Sequence, residues 1–333
     1  MTRVGVLGVG VMGRNHARVL RELPEAELVG VCDRDVDVAT ACGSLYGVPA
    51  FTDHLELLGR TLPEAVTVAV PTNEHRGVTE DCLRAGCHVL VEKPIASSLD
   101  DATALIEVAQ RMERGLSVGH IERYNPAIIE LKRRLDAGQL GRVFQMHARR
   151  LGPFPARVRD VGVVVDLATH DLDIMRYLSD QEPTRVYAET RREIHTQNED
   201  LMTGLVRFSD GSQGVLEINW LTPTKVRELT VTGERGMFRA DYLTQDLYFY
   251  ENADCSTDGW EAMDVLRGVS EGVMIRYPLQ RKEPLRAELE AFLAAARGEE
   301  SRIVSGLDGL RSLALALALT QSADKRQVLE LAG

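Results

Sequence analysis

Long apolar runs are missing from this chain of 333 residues. The most apolar stretch, Leu313-Ala314-Leu315-Ala316-Leu317-Ala318-Leu319, falls far short of the ~20 residues that a membrane span needs. Flanked by Arg311 and by Lys325-Arg326, it reads as a buried amphipathic helix. The first residues show no basic segment leading into an apolar one of the secretory kind, because the first apolar run is itself a strand. Cysteine is scarce. The five thiols Cys32, Cys42, Cys82, Cys87 and Cys255 are odd in number and form no C-x-x-C pair. That excludes a disulfide framework and leads us to expect reduced thiols in a cytoplasmic protein. Positive charge is in deficit, 39 Lys and Arg against 50 Asp and Glu for a net charge of -11. Nucleic acid and anionic membrane are thereby excluded as general partners, although a local basic pocket for a phosphorylated substrate is not. There is no internal repeat, low-complexity tract or linker, and no set of side chains at metal-ligand spacing, so no metal is expected.

What remains is the composition of an ordinary globular protein, 44% hydrophobic and 27% charged. The length favours two domains. At the start, the apolar run Thr2 to Leu7 leads into Gly8-Val9-Gly10-Val11-Met12-Gly13 and then into the helical pattern from Arg14 to Leu20. Three glycines spaced G-x-G-x-x-G between a strand and a helix permit a tight turn, the approach of backbone to a pyrophosphate, and close packing of helix on strand. A second apolar run ends at Asp33, 20 residues past Gly13 and well placed for a carboxylate that binds the adenosine ribose. A carboxylate there favours NAD over NADP. Arg34 is the opposing feature, since a guanidinium can accommodate a 2′-phosphate.

Further apolar runs at 65–70, 88–91 and 116–120 stop at Pro71, at Glu92-Lys93-Pro94 and at His120. Strands alternating with helices predict a doubly wound parallel sheet of the Rossmann kind, whose ligands bind at the carboxyl ends of the strands. Topology therefore gathers Thr72, Asn73, His75, Glu92, Lys93 and His120, and His75 either lines the nicotinamide side or caps the next helix. From about Gly141 the pattern changes to period-two alternation, with Ser209-Asp210-Gly211-Ser212 as a hairpin turn. This predicts an α+β domain with an open, mostly antiparallel sheet. We place the cofactor domain at 1–122 and the substrate domain at 123–333, with a C-terminal helical segment after Pro284 that can pack back on the first domain.

A second chemical segment lies in the latter half, where Asp166 and His170 are four residues apart and share a face if helical. The G-x-G-x-M-G start, the Glu92-Lys93-Pro94 tripeptide and this D-x-x-x-H segment together resemble the Gfo/Idh/MocA oxidoreductase family over the whole chain. Gly119 to Pro126, Gly152 to Pro155 and Arg159 to Val163 are most similar to the branch that oxidises C3 of UDP-N-acetylglucosamine. The resemblance implies a nicotinamide cofactor held by Gly8, Val9, Gly10, Val11, Met12, Asp33, Arg34, Pro71, Thr72, His75, Glu92 and Lys93. It implies a polar set of Lys93, Asp166 and His170 at the reacting carbon, and a homo-oligomer, dimer or tetramer.

Hydride loss from a carbinol leaves a proton to remove. His170 suits the base because imidazole titrates near neutrality, with Lys93 stabilising the developing alkoxide; the reverse assignment also satisfies the chemistry. Asp166 orients His170 or binds a substrate hydroxyl. Arg123, Tyr124, Asn125, Arg157, Arg159 and Asp160 are the candidates for the substrate, with Arg149 and Arg150 as further cations for a diphosphate. A free sugar or polyol such as inositol is the alternative substrate, and a non-catalytic NAD-sensing regulator the alternative class. His16, His54, His147 and His195 read as surface or packing histidines.

Overall fold

The structure, a computed structural model, describes residues 1–155, 161–194, 197–253 and 271–331. The chain begins with β1 (Thr2–Leu7), α1 (Val11–Glu22), β2 (Ala26–Cys32), α2 (Val36–Tyr46), β3 (Ala50–Phe51) and α3 (His54–Thr61). It continues through β4 (Ala65–Val68), α4 (Thr72–Arg84), β5 (His88–Glu92), α5 (Leu99–Arg111) and β6 (Leu116–Gly119). Next come α6 (Pro126–Asp136), β7 (Val143–Pro153), α7 (Thr169–Ser179), β8 (Pro183–Arg191), β9 (Leu201–Phe208) and β10 (Gln213–Asn219). The last elements are β11 (Leu221–Gly233), β12 (Gly236–Asp241), β13 (Asp246–Asn252), β14 (Glu271–Tyr277), α8 (Pro284–Ala296), α9 (Gly306–Lys325) and β15 (Leu329–Glu330). These form two compact units, Met1–Tyr124 with Glu283–Ala314, and Asn125–Lys282 with Leu315–Gly333. The chain thus passes between the units three times, at 124/125, 282/283 and 314/315.

In the first unit six parallel strands run in the order β3-β2-β1-β4-β5-β6. This is the doubly wound arrangement. Strands covered on both faces need continuous apolar sequence, which is why β1 and β4 are legible as runs. Val4, Val6, Leu20, Val31 and Leu90 form the core with Leu289 and Phe292 of α8. One member of α8 departs from this apolar set. Glu288 is 1% exposed, and neither carboxyl oxygen has a hydrogen-bond partner among the described residues. Burial, joined by the like charge of Glu92, pushes its carboxyl well above the ordinary range, so the folded chain holds it as a neutral acid.

The second unit is built on a nine-stranded sheet, ordered β14-β13-β12-β11-β7-β10-β9-β8-β15. Only β7 and β10 pair in parallel; the other neighbours are antiparallel. Met146, Ala148, Leu216, Ile218, Leu229 and Val231 point into one core. Arg149 and Arg150 therefore face opposite ways. Arg149 meets Glu217 at 3.0 Å on the polar face. Arg150 is 4% exposed and grips Asp171 of α7 with two bonds of 2.7 and 3.1 Å, its guanidinium 5.2 Å from the Tyr242 ring.

Cys32, Cys42, Cys82 and Cys87 are free and buried, and burial pushes the Cys32 thiol up to about 12; Cys255 lies outside the described residues. Among the described residues no helix is long and apolar enough to cross a membrane, and no group of His, Cys, Asp and Glu could hold a metal ion.

Two stability measurements follow from these buried charges. Arg150→Ala strands the Asp171 carboxylate in the core and is expected to cost about 3–5 kcal/mol in urea unfolding, while Arg150→Met with Asp171→Leu costs less than the single change. For Glu288 the sign is set by its raised folded value. Above the ordinary carboxyl pKa the unfolded chain sheds a proton that the folded chain keeps, so the parent loses stability as pH rises. Glu288→Gln removes that loss, and its melting temperature relative to the parent should climb from pH 5 to pH 8; a difference that stays flat over this range contradicts a neutral Glu288.

Candidate active site

At the carboxyl edge of the first sheet, Gly8 adopts φ +80°, and a Cβ there would lie 2.6 Å from the Ala69 carbonyl oxygen. Gly13 is forced in another way, because its Cβ would overlap the Gly8 carbonyl oxygen. Gly10 is different. A Cβ on it would meet nothing within 4 Å, so no protein contact explains the missing side chain. Helix ends sharpen the point. α2, α3 and α5 are capped by the side chains of Asp35, Asp53 and Ser98, whereas α1 begins at Gly10 and α4 at Pro71 with no side-chain cap. Open space before Gly10 and uncapped amides at the start of α1 fit the pyrophosphate of a dinucleotide.

Asp33 closes this loop from the next strand. Its Oδ2 accepts from the Val9 amide at 2.9 Å and its Oδ1 from the Asp35 amide at 3.1 Å. Arg34, 72% exposed, is ion-paired with Glu74 in the first turn of α4. Val11 is exposed, and Met12 packs on the core. Thr72 opens α4, and its carbonyl accepts from Ser97 at 3.2 Å.

β5 ends in Glu92, followed by half-buried Lys93 and a cis bond to Pro94. Glu92 lies 2.9 Å from Nε2 of His16, a fully buried residue of α1. Burial acts to raise the Glu92 carboxyl, but the His16 hydrogen bond and charge, with Lys93 and His75, outweigh it and hold the group below its ordinary value. His75 is 1% exposed, with Nδ1 2.8 Å from the Pro94 carbonyl oxygen and Nε2 3.0 Å from that of Val70. Burial pushes this histidine down against the lift of the two carbonyls, which leaves a neutral ring that donates to one of them. His75 thus sits behind the loops after β4 and β5, within the protein.

Arg123 and Tyr124 also belong to the first unit. Arg123 pairs with Asp308 at 3.3 Å, and the Tyr124 hydroxyl donates to the Arg302 carbonyl at 3.1 Å. Burial lifts the Asp308 carboxyl, but Arg123 and Ser305 more than offset it and hold it below its usual value. Asn125 begins the second unit as the cap of α6, accepting from the Ala127 amide and donating to the Tyr242 carbonyl at 3.0 Å. All three side chains are engaged by their own unit. Arg157, Arg159, Asp160 and His195 lie outside the described residues.

In the second unit, Asp166 lies in a π-helical turn, Val164–Ala168, that runs directly into α7, where His170 is the second residue. Both are half-buried. A π-turn inserts one residue into the helical register and often marks a functional position. Glu199 holds the entry to this turn: its carbonyl accepts from the Val163 amide at 2.9 Å and its carboxylate from the Val164 amide at 3.2 Å. Arg150 holds α7 through Asp171. Glu199, Glu74, Glu288 and the His16 partner of Glu92 are absent from the sequence-derived candidates; Glu199, Glu74 and His16 owe their place to residues far away in the chain, and Glu288 to burial.

Comparison with known proteins agrees with this arrangement. Residues 2–120 match the family model described as "Oxidoreductase family, NAD-binding Rossmann fold", and residues 128–239 match the GFO/IDH/MocA C-terminal domain. UDP-N-acetylglucosamine 3-dehydrogenase of Acidithiobacillus ferrooxidans is 31% identical, covering 95% of this chain and 95% of that protein. Its solved structure superposes with a TM-score of 0.84 over 97% of this chain and 98% of that one. Inositol 2-dehydrogenase of Rhizobium meliloti is 28% identical over 98% of each chain. The chain belongs to the Gfo/Idh/MocA family of oxidoreductases, with an NAD-binding Rossmann domain at its N-terminus.

Proposed function

We propose that this protein oxidises a sugar hydroxyl with NAD, and that its substrate is UDP-N-acetylglucosamine, at C3, or a related nucleotide sugar. The observation that carries the reading is the end-to-end likeness to UDP-N-acetylglucosamine 3-dehydrogenase, in sequence and in fold. Lys93, Asp166 and His170 supply what the chemistry needs from the protein. NAD, when bound, provides the hydride acceptor. His170 takes the hydroxyl proton, a role for which imidazole is suited because it changes charge near neutrality. The Lys93 ammonium stabilises charge that develops on the substrate oxygen. Asp166 orients the imidazole or holds a neighbouring hydroxyl. Within the first unit, the buried His75 contact to the Pro94 carbonyl and the His16 contact to Glu92 hold the backbone on either side of Lys93. Under this reading the protein is a cytoplasmic homo-oligomer, and its buried free thiols suit a reducing compartment.

A second reading is oxidation of a free cyclitol, favoured by the full-length likeness to inositol 2-dehydrogenases. Absorbance at the NADH band separates the two. The purified protein with NAD should reduce it in the presence of UDP-N-acetylglucosamine and remain at background with myo-inositol; the opposite pattern assigns the cyclitol. Lys93→Met and His170→Asn should each lower kcat by about 10²- to 10⁴-fold while NADH binding persists. Variants that turn over at the parent rate refute the assigned roles.

A further inference from the structure

Cofactor choice rests on charge beside the adenosine ribose, because NADP differs from NAD there by a phosphate. Asp33 and Arg34 follow β2 at this place, and Glu74 of α4 is ion-paired with Arg34. The Asp33 carboxylate is fixed by the Val9 and Asp35 amides at 2.9 and 3.1 Å. Arg34 follows it in sequence and carries the planar cation that would pair with a 2′-phosphate. That cation is already engaged. Its partner Glu74 is set in position by the start of α4, where the Glu74 amide donates to the Pro71 carbonyl at 2.9 Å.

The topology explains why these two residues can meet. In the sheet order β2-β1-β4, Arg34 follows β2 and Glu74 follows β4, so their ion pair reaches across the carboxyl end of β1, above which the glycine loop begins. Arg34 is 72% exposed at its side chain, whereas Glu74 is 21% exposed. The exposed guanidinium is thus anchored on the more enclosed carboxylate. We propose that Glu74 enforces the choice of NAD: by holding the Arg34 guanidinium it denies a 2′-phosphate its cation. A phosphate entering here meets the Asp33 carboxylate and one committed guanidinium. NAD brings no such charge, and its ribose hydroxyls need only the Asp33 oxygens.

An acidic residue in the first turn of a helix also has a purely structural use, since it complements the helix dipole. The two roles separate in a binding experiment that needs no substrate and therefore stands apart from the sugar assignment. NADH and NADPH are titrated into the parent, Glu74→Gln and Glu74→Gln with Arg34→Gln, following nicotinamide fluorescence. Glu74→Gln should bind NADPH about fivefold or more tightly than the parent does, the weight of one unit charge at contact distance in water. NADH affinity should change by less than about twofold, a shift below the same single-charge weight. The double variant should lose the gain because the released guanidinium is gone. A dipole role alone lowers the melting temperature of Glu74→Gln and leaves the NADPH to NADH ratio at the parent value. That result overturns the proposal, as does a parent that binds the two nucleotides equally or a gain that survives without Arg34.

Discussion

The approach of α1 to the end of β1 is the constraint on which the cofactor half of this molecule depends. A Cβ on Gly13 would overlap the Gly8 carbonyl, so the helix sits on the strand only because that position is glycine. The positive φ of Gly8 then turns the chain within a single residue. From this contact the rest follows in order. The Val9 amide is directed to Asp33, the first amides of α1 are left without a side-chain cap, and the space before Gly10 stays open. Backbone geometry, not a set of polar side chains, makes the anion site.

Behind that edge the protein spends stability on buried polar groups. The His16 contact holds the Glu92 carboxyl below its ordinary value, His75 lies between two carbonyls, and burial, joined by the charge of Glu92, pushes the Glu288 carboxyl well up. An apolar replacement of the same shape would serve packing better. What His16 and His75 provide is definition at the ends of β4 and β5, through the Glu92 bond and one bond to a carbonyl.

Legibility in the sequence tracked the range of the interaction concerned. β1, β2, β4, β5 and β6 were readable because a buried parallel strand is an apolar run, and the G-x-G-x-x-G spacing is complete within six residues. β3, two residues long, has no run to read. β12 and β13 alternate core residues, Phe238 and Ala240 then Leu247 and Phe249, with polar or half-buried ones, but each is only six or seven residues long. The π-turn at Val164–Ala168 leaves no periodic mark, since one inserted residue changes no composition. Glu74 and Glu199 are ordinary surface residues by type, and only a partner distant in sequence gives them a role; Glu288 is set apart by its burial alone. Arg149 and Arg150 are the instructive exception. The period of two in a strand puts them on opposite faces, so they cannot serve one diphosphate together.

The two halves of the reaction differ in how strongly they constrain sequence. A dinucleotide is recognised by a turn that excludes side chains, so the same glycines recur wherever the same pyrophosphate must approach backbone. A sugar hydroxyl asks for one proton acceptor and one cation, and residues that choose between a cyclitol and a nucleotide sugar have only to shape the space around them. The side chains nearest to that task by sequence, Arg123, Tyr124 and Asn125, are occupied by Asp308, the Arg302 carbonyl and the Tyr242 carbonyl. Such partners fix chain direction where the first unit passes into the second. Substrate choice is therefore best sought in side chains that lack a structural duty, because only those are free to vary without cost to the fold.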